Sequence, residues 1–192
     1  MNLQELIKAI EQWAEDRNII KGSKPIDQAM KLFSEFGELA DNVGKGRDCR
    51  DDIGDVFVVL VIIGKQRGHD MIVPITTIIE LFNKDDNYHY GEVYNMACTP
   101  KEKVAYLCSD IAIMVSHFYD CRVDAYSTDD MIEQCLATMF ALCDDLNYTL
   151  EECIQIAYDD IKDRKGLMHG GLFIKESDPA YASIIASIES NC

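Results

Sequence analysis

The feature that most constrains the fold is an uninterrupted run of eight apolar residues, Val56–Ile63, in the first half of the chain. A helix built from this run is apolar on every face, and such a helix belongs inside a bundle. The run is much shorter than the ~18 apolar residues that a membrane-spanning helix requires. We therefore predict an all-α helical bundle with this helix in its interior.

Two pairs of acidic residues precede the apolar run and have the same spacing. Glu35 and Glu38 lie on one predicted helix, and Asp52 and Asp55 lie on the next. Residues three apart lie on one face of an α-helix, so each pair directs two carboxylates the same way. At the edge of a core these groups repel one another and lose hydration, which a divalent cation or raised pKa values would compensate. Four hard oxygen ligands favour Mg²⁺ or Mn²⁺.

The charge of the chain limits the classes of partner. Its 192 residues carry a formal net charge of -16. Duplex nucleic acid and anionic membranes require clustered lysine and arginine, so neither is predicted as a partner. An acidic protein can still bind a small anion through a metal or a local basic patch. The start, Met1–Gln12, does not resemble a signal peptide, and we expect a cytoplasmic protein, with homo-oligomers left open.

Helical periodicity continues along the chain, and the second half repeats the first. A shift of 75 residues aligns Glu35 with Asp110, and a shift of 79 aligns Ile53 with Ile132. Any two amphipathic helices can be aligned this way, so chance similarity is the alternative to duplication. A duplication predicts an internal tandem pseudo-dimer. The predicted divisions are a first repeat, a linker, a second repeat and a C-terminal tail, at residues 1–83, 84–99, 100–178 and 179–192.

The two repeats differ in the residues that carry charge. Three of the four acids have uncharged counterparts in the second repeat, namely Ile113, Met131 and Gln134. Conversely, three cations near the end of the second repeat lack basic counterparts in the first, and these are Lys162, Arg164 and Lys165. One composite site, with metal ligands from the first repeat and anion contacts from the second, explains the difference. The alternative is that these cations only complement a helix C-terminus.

The order of the motifs resembles a known family. Ser34–Glu38, followed after 13 residues by Asp52–Asp55, resembles the Glu-x-x-Glu, spacer, Glu-x-x-Asp signature of the all-α nucleoside triphosphate pyrophosphohydrolases. Within that group the chain looks most like the MazG-like proteins of bacteriophages. Four further segments are similar, namely Gln12–Ala14, Gln28–Leu39, Ala157–Gly166 and Gly171–Glu176. Asp52 departs from the pattern because the family usually has glutamate there, and the shorter side chain reaches a metal less directly.

This resemblance implies a Mg²⁺-dependent enzyme that cleaves a nucleoside triphosphate to a monophosphate and pyrophosphate. It implies that Glu35, Glu38 and Asp55 are the principal metal ligands and catalytic residues, with Asp52 as a further ligand. We take Glu35 as the general base. The alternative function is a catalytically inactive nucleotide-binding or metal-binding regulatory or scaffold protein.

The substrate contacts that this function requires have several candidates. Lys162, Arg164 and Lys165 are predicted to bind the phosphate chain, because guanidinium and ammonium groups complement dispersed negative charge. Lys45 and Arg47, in the turn between the two acidic helices, are the alternative for this role. Two residues on or near the helical face of Glu35 are predicted to contact the nucleotide, with ordinary surface placement as the alternative, and they are Gln28 and Lys31.

Overall fold

The structure is a computed structural model that describes residues 1–83, 99–118 and 128–189. The described residues form nine helices, α1–α9, and one short hairpin. In chain order the helices are Leu3–Asp16, Ile19–Gly22, Pro25–Lys45, Arg50–Arg67, Ile72–Asn83, Pro100–Ser116, Thr128–Asp145, Leu150–Ile161 and Tyr181–Glu189. The antiparallel strands β1 (Gly166–His169) and β2 (Leu172–Lys175) lie between α8 and α9. The predicted all-α fold is confirmed, and none of the described helices has the length and apolarity needed to cross a membrane.

Helix α4 is the interior helix of the bundle, as the apolar run predicts. Every residue of Val56–Ile63 is buried, and α3 and α8 cover the helix while α1 and α2 also contact it. A Cβ atom added at Gly54 would lie 2.2 Å from the carbonyl oxygen of Cys153 on α8. The backbones of α4 and α8 therefore lie so close together that only glycine fits at position 54 without a shift. This contact sets the position of Asp55 relative to the C-terminal part of the chain.

Local signals at the helix ends match the sequence expectations. Gly68 ends α4 with a φ of 79°, in the left-handed region that favours glycine. The three-residue spacing of Thr99 and Glu102 predicts a capping box, which is present at the start of α6, and the Thr149 side chain caps α8. Such caps satisfy backbone groups that the helix itself leaves without partners.

Two segments without a predicted helix contain one. The sequence predicts a loop at Asn18–Lys24 and a tail at 179–192, but the loop includes the short helix α2 and the tail includes α9. The sequence also predicts an extended segment at Leu167–Lys175, and this segment lies in the β1–β2 hairpin. Of the predicted linker at 84–99, only Thr99 belongs to the described residues.

Contacts between the predicted repeats are extensive. Within the repeats, α3 packs against α4 and α6 packs against α7. Between the repeats, α8 packs against α4 and α5 packs against α7. A tandem pseudo-dimer predicts that the apolar helix α4 and its counterpart α7 cover each other, but their contact is small. The long apolar surface of α4 is instead covered by α3 and by α8, because Gly54 and Ala157 allow the α8 backbone to approach closely.

Candidate functional site

A cavity of about 410 Å³ lies between the N-terminal helices, α4 and the hairpin. Its polar lining comes from both ends of the chain and consists of Asp27, Gln28, Lys31, Glu35, Asp55, Arg164 and Lys175. Its apolar lining includes Trp13, Val58, Val59, Ile62, Ile161 and Phe173. We call this space the polar cavity. Five of the predicted site residues line it, and four do not, namely Glu38, Asp52, Lys162 and Lys165.

The acidic end of the polar cavity is formed by Glu35 and Asp55. Glu35 is only 5% exposed, and the Lys31 ammonium, one helical turn away, forms an ion pair with its carboxylate. Burial is the main cause that raises the pKa of Asp55 to about 7, with the negative charges of Glu35 and Asp51 adding to it and the positive charges of Lys31 and Arg164 opposing it. These groups form one electrostatic unit in which negative charge is incompletely compensated.

The other predicted ligands lie beside this unit. Glu38 is exposed, and Asp52 accepts a hydrogen bond of 2.8 Å from the Asn42 side chain. Burial raises the pKa of Asp52, and the charges of Asp51, Glu38 and Glu35 add to this effect although the Asn42 hydrogen bond opposes it. The four predicted ligands are therefore close enough to interact electrostatically. Of these four, only Glu35 and Asp55 line the polar cavity.

The donor chemistry of this cluster suits a hard cation. Carboxylate oxygens are the ligands that Mg²⁺ and Mn²⁺ prefer, and the group is short of positive charge. In the described part of the chain, however, no three histidine, cysteine, aspartate or glutamate side chains converge into a ready metal site. A cation bound by Glu35 would also replace the Lys31 ammonium there.

Sequence reasoning missed Asp51. It lies four residues before Asp55, a spacing that places both carboxylates on one face of α4. Its negative charge contributes to the raised pKa values of Asp52 and Asp55. The acidic pair preceding the apolar run is therefore part of a three-aspartate group, which the i, i+4 spacing in the sequence could have shown.

The three predicted cations differ in position. Arg164 lines the polar cavity and forms an ion pair with Asp160. Lys162 Nζ lies 2.6 Å from the Asp159 carboxylate, and Lys165 Nζ lies 3.8 Å from the Glu176 carboxylate. Neither lysine lines the polar cavity, so Arg164 is the member of this group that the structure brings to the acids.

A further cation, Lys175 at the end of β2, also lines the polar cavity. Sequence reasoning missed it, although Phe173 and Lys175 alternate along an extended segment and therefore share one face. Lys45 and Arg47, the alternative cations, lie elsewhere. Lys45 Nζ is 2.6 Å and Arg47 Nη1 3.8 Å from the Asp41 carboxylate.

Backbone hydrogen bonds attach the hairpin to the first repeat. The Met168 amide donates to the Arg17 carbonyl at 2.8 Å, and the Gly171 amide donates to the Gly22 carbonyl at 3.1 Å. A Cβ atom at Gly22 would lie 2.6 Å from the Met168 carbonyl oxygen, so only glycine permits this approach. The hairpin thereby closes one side of the polar cavity.

The end of the polar cavity away from Glu35 and Asp55 carries an amide network. Gln28 is 4% exposed, and its Nε2 donates to Ser23 Oγ at 2.9 Å. Ser23 Oγ donates to the Ile19 carbonyl at 2.7 Å, and Gln66 Nε2 donates to Ser23 Oγ at 3.0 Å. Gln28 therefore lies in the interior, contrary to ordinary surface placement.

The second repeat carries different groups at the corresponding positions. Asp110, aligned with Glu35, accepts a hydrogen bond of 2.9 Å from Thr138, while burial raises the pKa of Asp110. Lys103, aligned with Gln28, is buried with its Nζ 2.5 Å from the Asp145 carboxylate. Among the described residues, these positions have an internally paired polar arrangement in place of the acidic cluster.

Fold and site together define an all-α protein with a polar cavity that combines acids of its first half with cations of its C-terminal part. The chain is similar to an uncharacterized 18.2 kDa protein in the rep-hol intergenic region of Haemophilus phage HP1, with 51% identity over 74 residues. The match covers 38% of this chain and 45% of the phage protein, so the chain spans less than half of that relative's length. No family model and no solved structure matches the chain.

Proposed function

We propose that the protein is a Mg²⁺-dependent nucleoside triphosphate pyrophosphohydrolase, which releases a nucleoside monophosphate and pyrophosphate. The observation that carries this proposal is the meeting of Glu35 and Asp55 with Arg164 and Lys175 in one cavity. Carboxylates that can hold a cation and cations that can bind phosphate oxygens are the two groups that a triphosphate requires. The cavity volume of about 410 Å³ lies within the range of small-molecule sites.

The residues that would hold the metal are Glu35, Glu38, Asp52 and Asp55, all oxygen donors. A bound Mg²⁺ supplies charge neutralisation at the phosphate oxygens and a more acidic water. The buried Glu35 is the general base in this proposal and accepts the proton of the attacking water. Lys31, which forms an ion pair with Glu35, is free to contact phosphate when the pair separates.

The cations position the substrate. Arg164 offers a planar guanidinium that can contact two phosphate oxygens, and Lys175 offers a mobile ammonium. Because both groups line the same cavity as Glu35 and Asp55, they would hold the phosphate chain beside the carboxylates. Lys162 and Lys165 keep their predicted phosphate role only as more distant positive charges, since carboxylates next to them already pair with both.

The deciding experiment is a panel of nucleoside triphosphates incubated with Mg²⁺, in which pyrophosphate, orthophosphate and monophosphate are measured separately. We expect equal amounts of pyrophosphate and monophosphate, and loss of both products in Asp55→Asn. Orthophosphate as the first product would assign a different reaction.

We also propose that the chain is a tandem pseudo-dimer with one nucleotide site. The reciprocal packing of α8 on α4 and of α5 on α7 supports this, because a two-fold arrangement of repeats requires both contacts. The paired Asp110 and Lys103 support a second repeat without a site of its own. Calorimetric titration with a non-hydrolysable triphosphate should give one site per chain, and sedimentation will test whether the chain forms homo-oligomers.

A catalytically inactive nucleotide sensor is the second candidate. The ion pair of Lys31 with Glu35 favours it, because the buried Glu35 carboxylate already has a positively charged partner within the chain. In that case the triphosphate binds and no product forms with any nucleotide in the panel. The similarity to a phage protein supports a role in host cytoplasm during infection under either function.

A further inference from the structure

We propose that Gln28 accepts a hydrogen bond from an exocyclic amino group of the nucleotide base, and that Ser23 and Gln66 are positioning residues that hold its amide. This inference rests on the proposed function, because it assigns the base preference of the same site. It makes the end of the polar cavity away from Glu35 and Asp55 the base-binding end.

The orientation of the Gln28 amide follows from the hydrogen bonds of Ser23. A serine hydroxyl has one proton, and Ser23 donates it to the Ile19 carbonyl at 2.7 Å. Toward Gln28, Ser23 Oγ can therefore only accept, and the amide must present its NH₂ group there, at 2.9 Å. The carbonyl oxygen Oε1 of Gln28 is the group left for the cavity, and no residue of the described ranges donates a hydrogen bond to it.

Gln66 fixes this arrangement from α4. Its Nε2 lies 3.0 Å from the Ser23 carbonyl oxygen and 3.0 Å from Ser23 Oγ, both of which accept. Ser23 is thus held between a backbone carbonyl and two side-chain amides. Such a network limits the rotation of Gln28, so that its Oε1 presents a preorganised acceptor.

The position of Gln28 along α3 separates it from the chemistry. Gln28 precedes Glu35 by two helical turns, or about 10 Å along the helix axis. Gln66 likewise follows Asp55 by three turns on α4, and Val59 and Ile62 line the cavity between these ends. A nucleotide whose phosphates lie beside Glu35, Asp55 and Arg164 would place its base on this apolar wall with its edge toward Gln28.

The free acceptor selects the kind of base. An exocyclic amino group extends furthest from the base edge and reaches Oε1 without bringing a base carbonyl beside it. The N3–H of uracil is flanked by two carbonyl oxygens, which would repel Oε1. The favoured ligands are therefore nucleotides of adenine, cytosine or guanine, whose bases carry an exocyclic amino group, and a site built to accept from an amino group rejects analogues that lack it.

The test uses binding and turnover of ATP, CTP and GTP beside their analogues without the amino group, which are purine riboside triphosphate, pyrimidin-2-one riboside triphosphate and inosine triphosphate. Calorimetry with the non-hydrolysable forms measures affinity, and pyrophosphate release measures kcat/KM. We expect the wild-type protein to prefer ATP, CTP or GTP over the matching analogue by about 10–100-fold. Whichever pair shows the largest ratio identifies the base.

Substitutions then assign the ratio to the network. Gln28→Met, of similar size, should weaken binding of the amino nucleotide by about 10–100-fold and leave the analogue unchanged. Ser23→Ala and Gln66→Met should reduce the preference ratio without changing affinity for the analogue, which a purely structural role would not do. Gln12→Met, an exposed glutamine on α1, is the matched control and should keep the ratio.

The inference and the proposed function fail in distinguishable ways. If no pyrophosphate forms but Gln28→Met abolishes the binding preference, the proposed pyrophosphohydrolase reaction is wrong, whereas the role of Gln28 in base binding stands. An unchanged preference in Gln28→Met, or in both Ser23→Ala and Gln66→Met if the first variant does not fold, would overturn the inference. An absence of preference in the wild-type protein would overturn it as well.

Discussion

The side chain of Arg17 donates a hydrogen bond from Nε to the carbonyl oxygen of Arg164, at 2.6 Å, across 147 positions of sequence. The same guanidinium donates from Nη2 to the Lys162 carbonyl at 3.0 Å and lies 5.0 Å from the centre of the Trp13 ring. The Arg17 guanidinium, at the C-terminal end of α1, thus holds the backbone that presents Arg164 to the polar cavity.

Replacing Arg17 by lysine should therefore weaken substrate binding. An ammonium cannot reproduce the two directed hydrogen bonds of the guanidinium, so Arg164 would be less well held. We expect KM for the best triphosphate to rise roughly 3–10-fold with a smaller change in kcat, measured by pyrophosphate release. Arg67→Lys, at the far end of α4, is the control, and equal KM values in both variants would contradict the role of Arg17.

Charge reversal at Arg164 should affect the substrate without removing the metal. Arg164→Glu places a negative charge beside the phosphates, and we expect kcat/KM to fall at least ~100-fold. Lys101→Glu makes the same charge change at an exposed residue outside the polar cavity and should have little effect. If Lys162→Glu lowers kcat/KM as much as Arg164→Glu does, both cations contact substrate, as the sequence had predicted.

The pH dependence of stability should report on Asp55. Its pKa is raised from 3.8 to about 7, so the folded protein holds a proton that the unfolded chain has lost. In metal-free buffer the free energy of unfolding should therefore fall as the pH rises through this window. Asp55→Asn removes the titrating group, and its advantage over the wild type should grow by about 1–3 kcal/mol between pH 5 and pH 8. Denaturant unfolding at both values tests this, and a constant difference would mean that the pKa is unperturbed.

Metal binding can be tested without turnover. A cation held by the acidic cluster stabilises the folded protein alone, so excess Mg²⁺ at pH 8 should raise the Tm by a few degrees, or about 1–3 kcal/mol. The shift should be much smaller in Asp55→Asn. Asp41→Asn removes an exposed carboxylate elsewhere on α3 and should keep the full shift. Equal shifts in all three proteins would indicate a nonspecific effect of the ion.

The close approach of α4 and α8 makes Gly54 sensitive to substitution. Gly54→Ala should lower the free energy of unfolding by about 1–3 kcal/mol, because the new methyl group meets the Cys153 backbone. Gly37→Ala, in α3 with nothing within 4 Å of the added atom, should instead raise it by about 0.5–1 kcal/mol. Thermal or denaturant unfolding of both variants decides, and a stable Gly54→Ala would show that the helices can separate.

The sequence by itself determined the local features of this protein. The apolar run Val56–Ile63 predicted a buried helix, because burial on all faces follows from composition within a few turns. The three-residue spacing of Glu35 and Glu38 placed them on one helix, and Thr99 predicted a helix start. Each of these depends on interactions between residues near one another in the chain, which helical periodicity and capping describe directly.

Only the tertiary structure decided which of these residues meet. It brought Arg164 to the polar cavity and left Lys162 with Asp159, and it gave Asp52 a hydrogen bond to Asn42. It also brought Lys175 to the polar cavity, because the β1–β2 hairpin is hydrogen-bonded to the first repeat. These outcomes depend on how closely backbones approach, as at Gly54, and on hydrogen bonds across more than a hundred positions, as from Arg17. A periodic pattern states which face of a helix is buried, whereas the partner of that face is chosen by the packing of the whole chain.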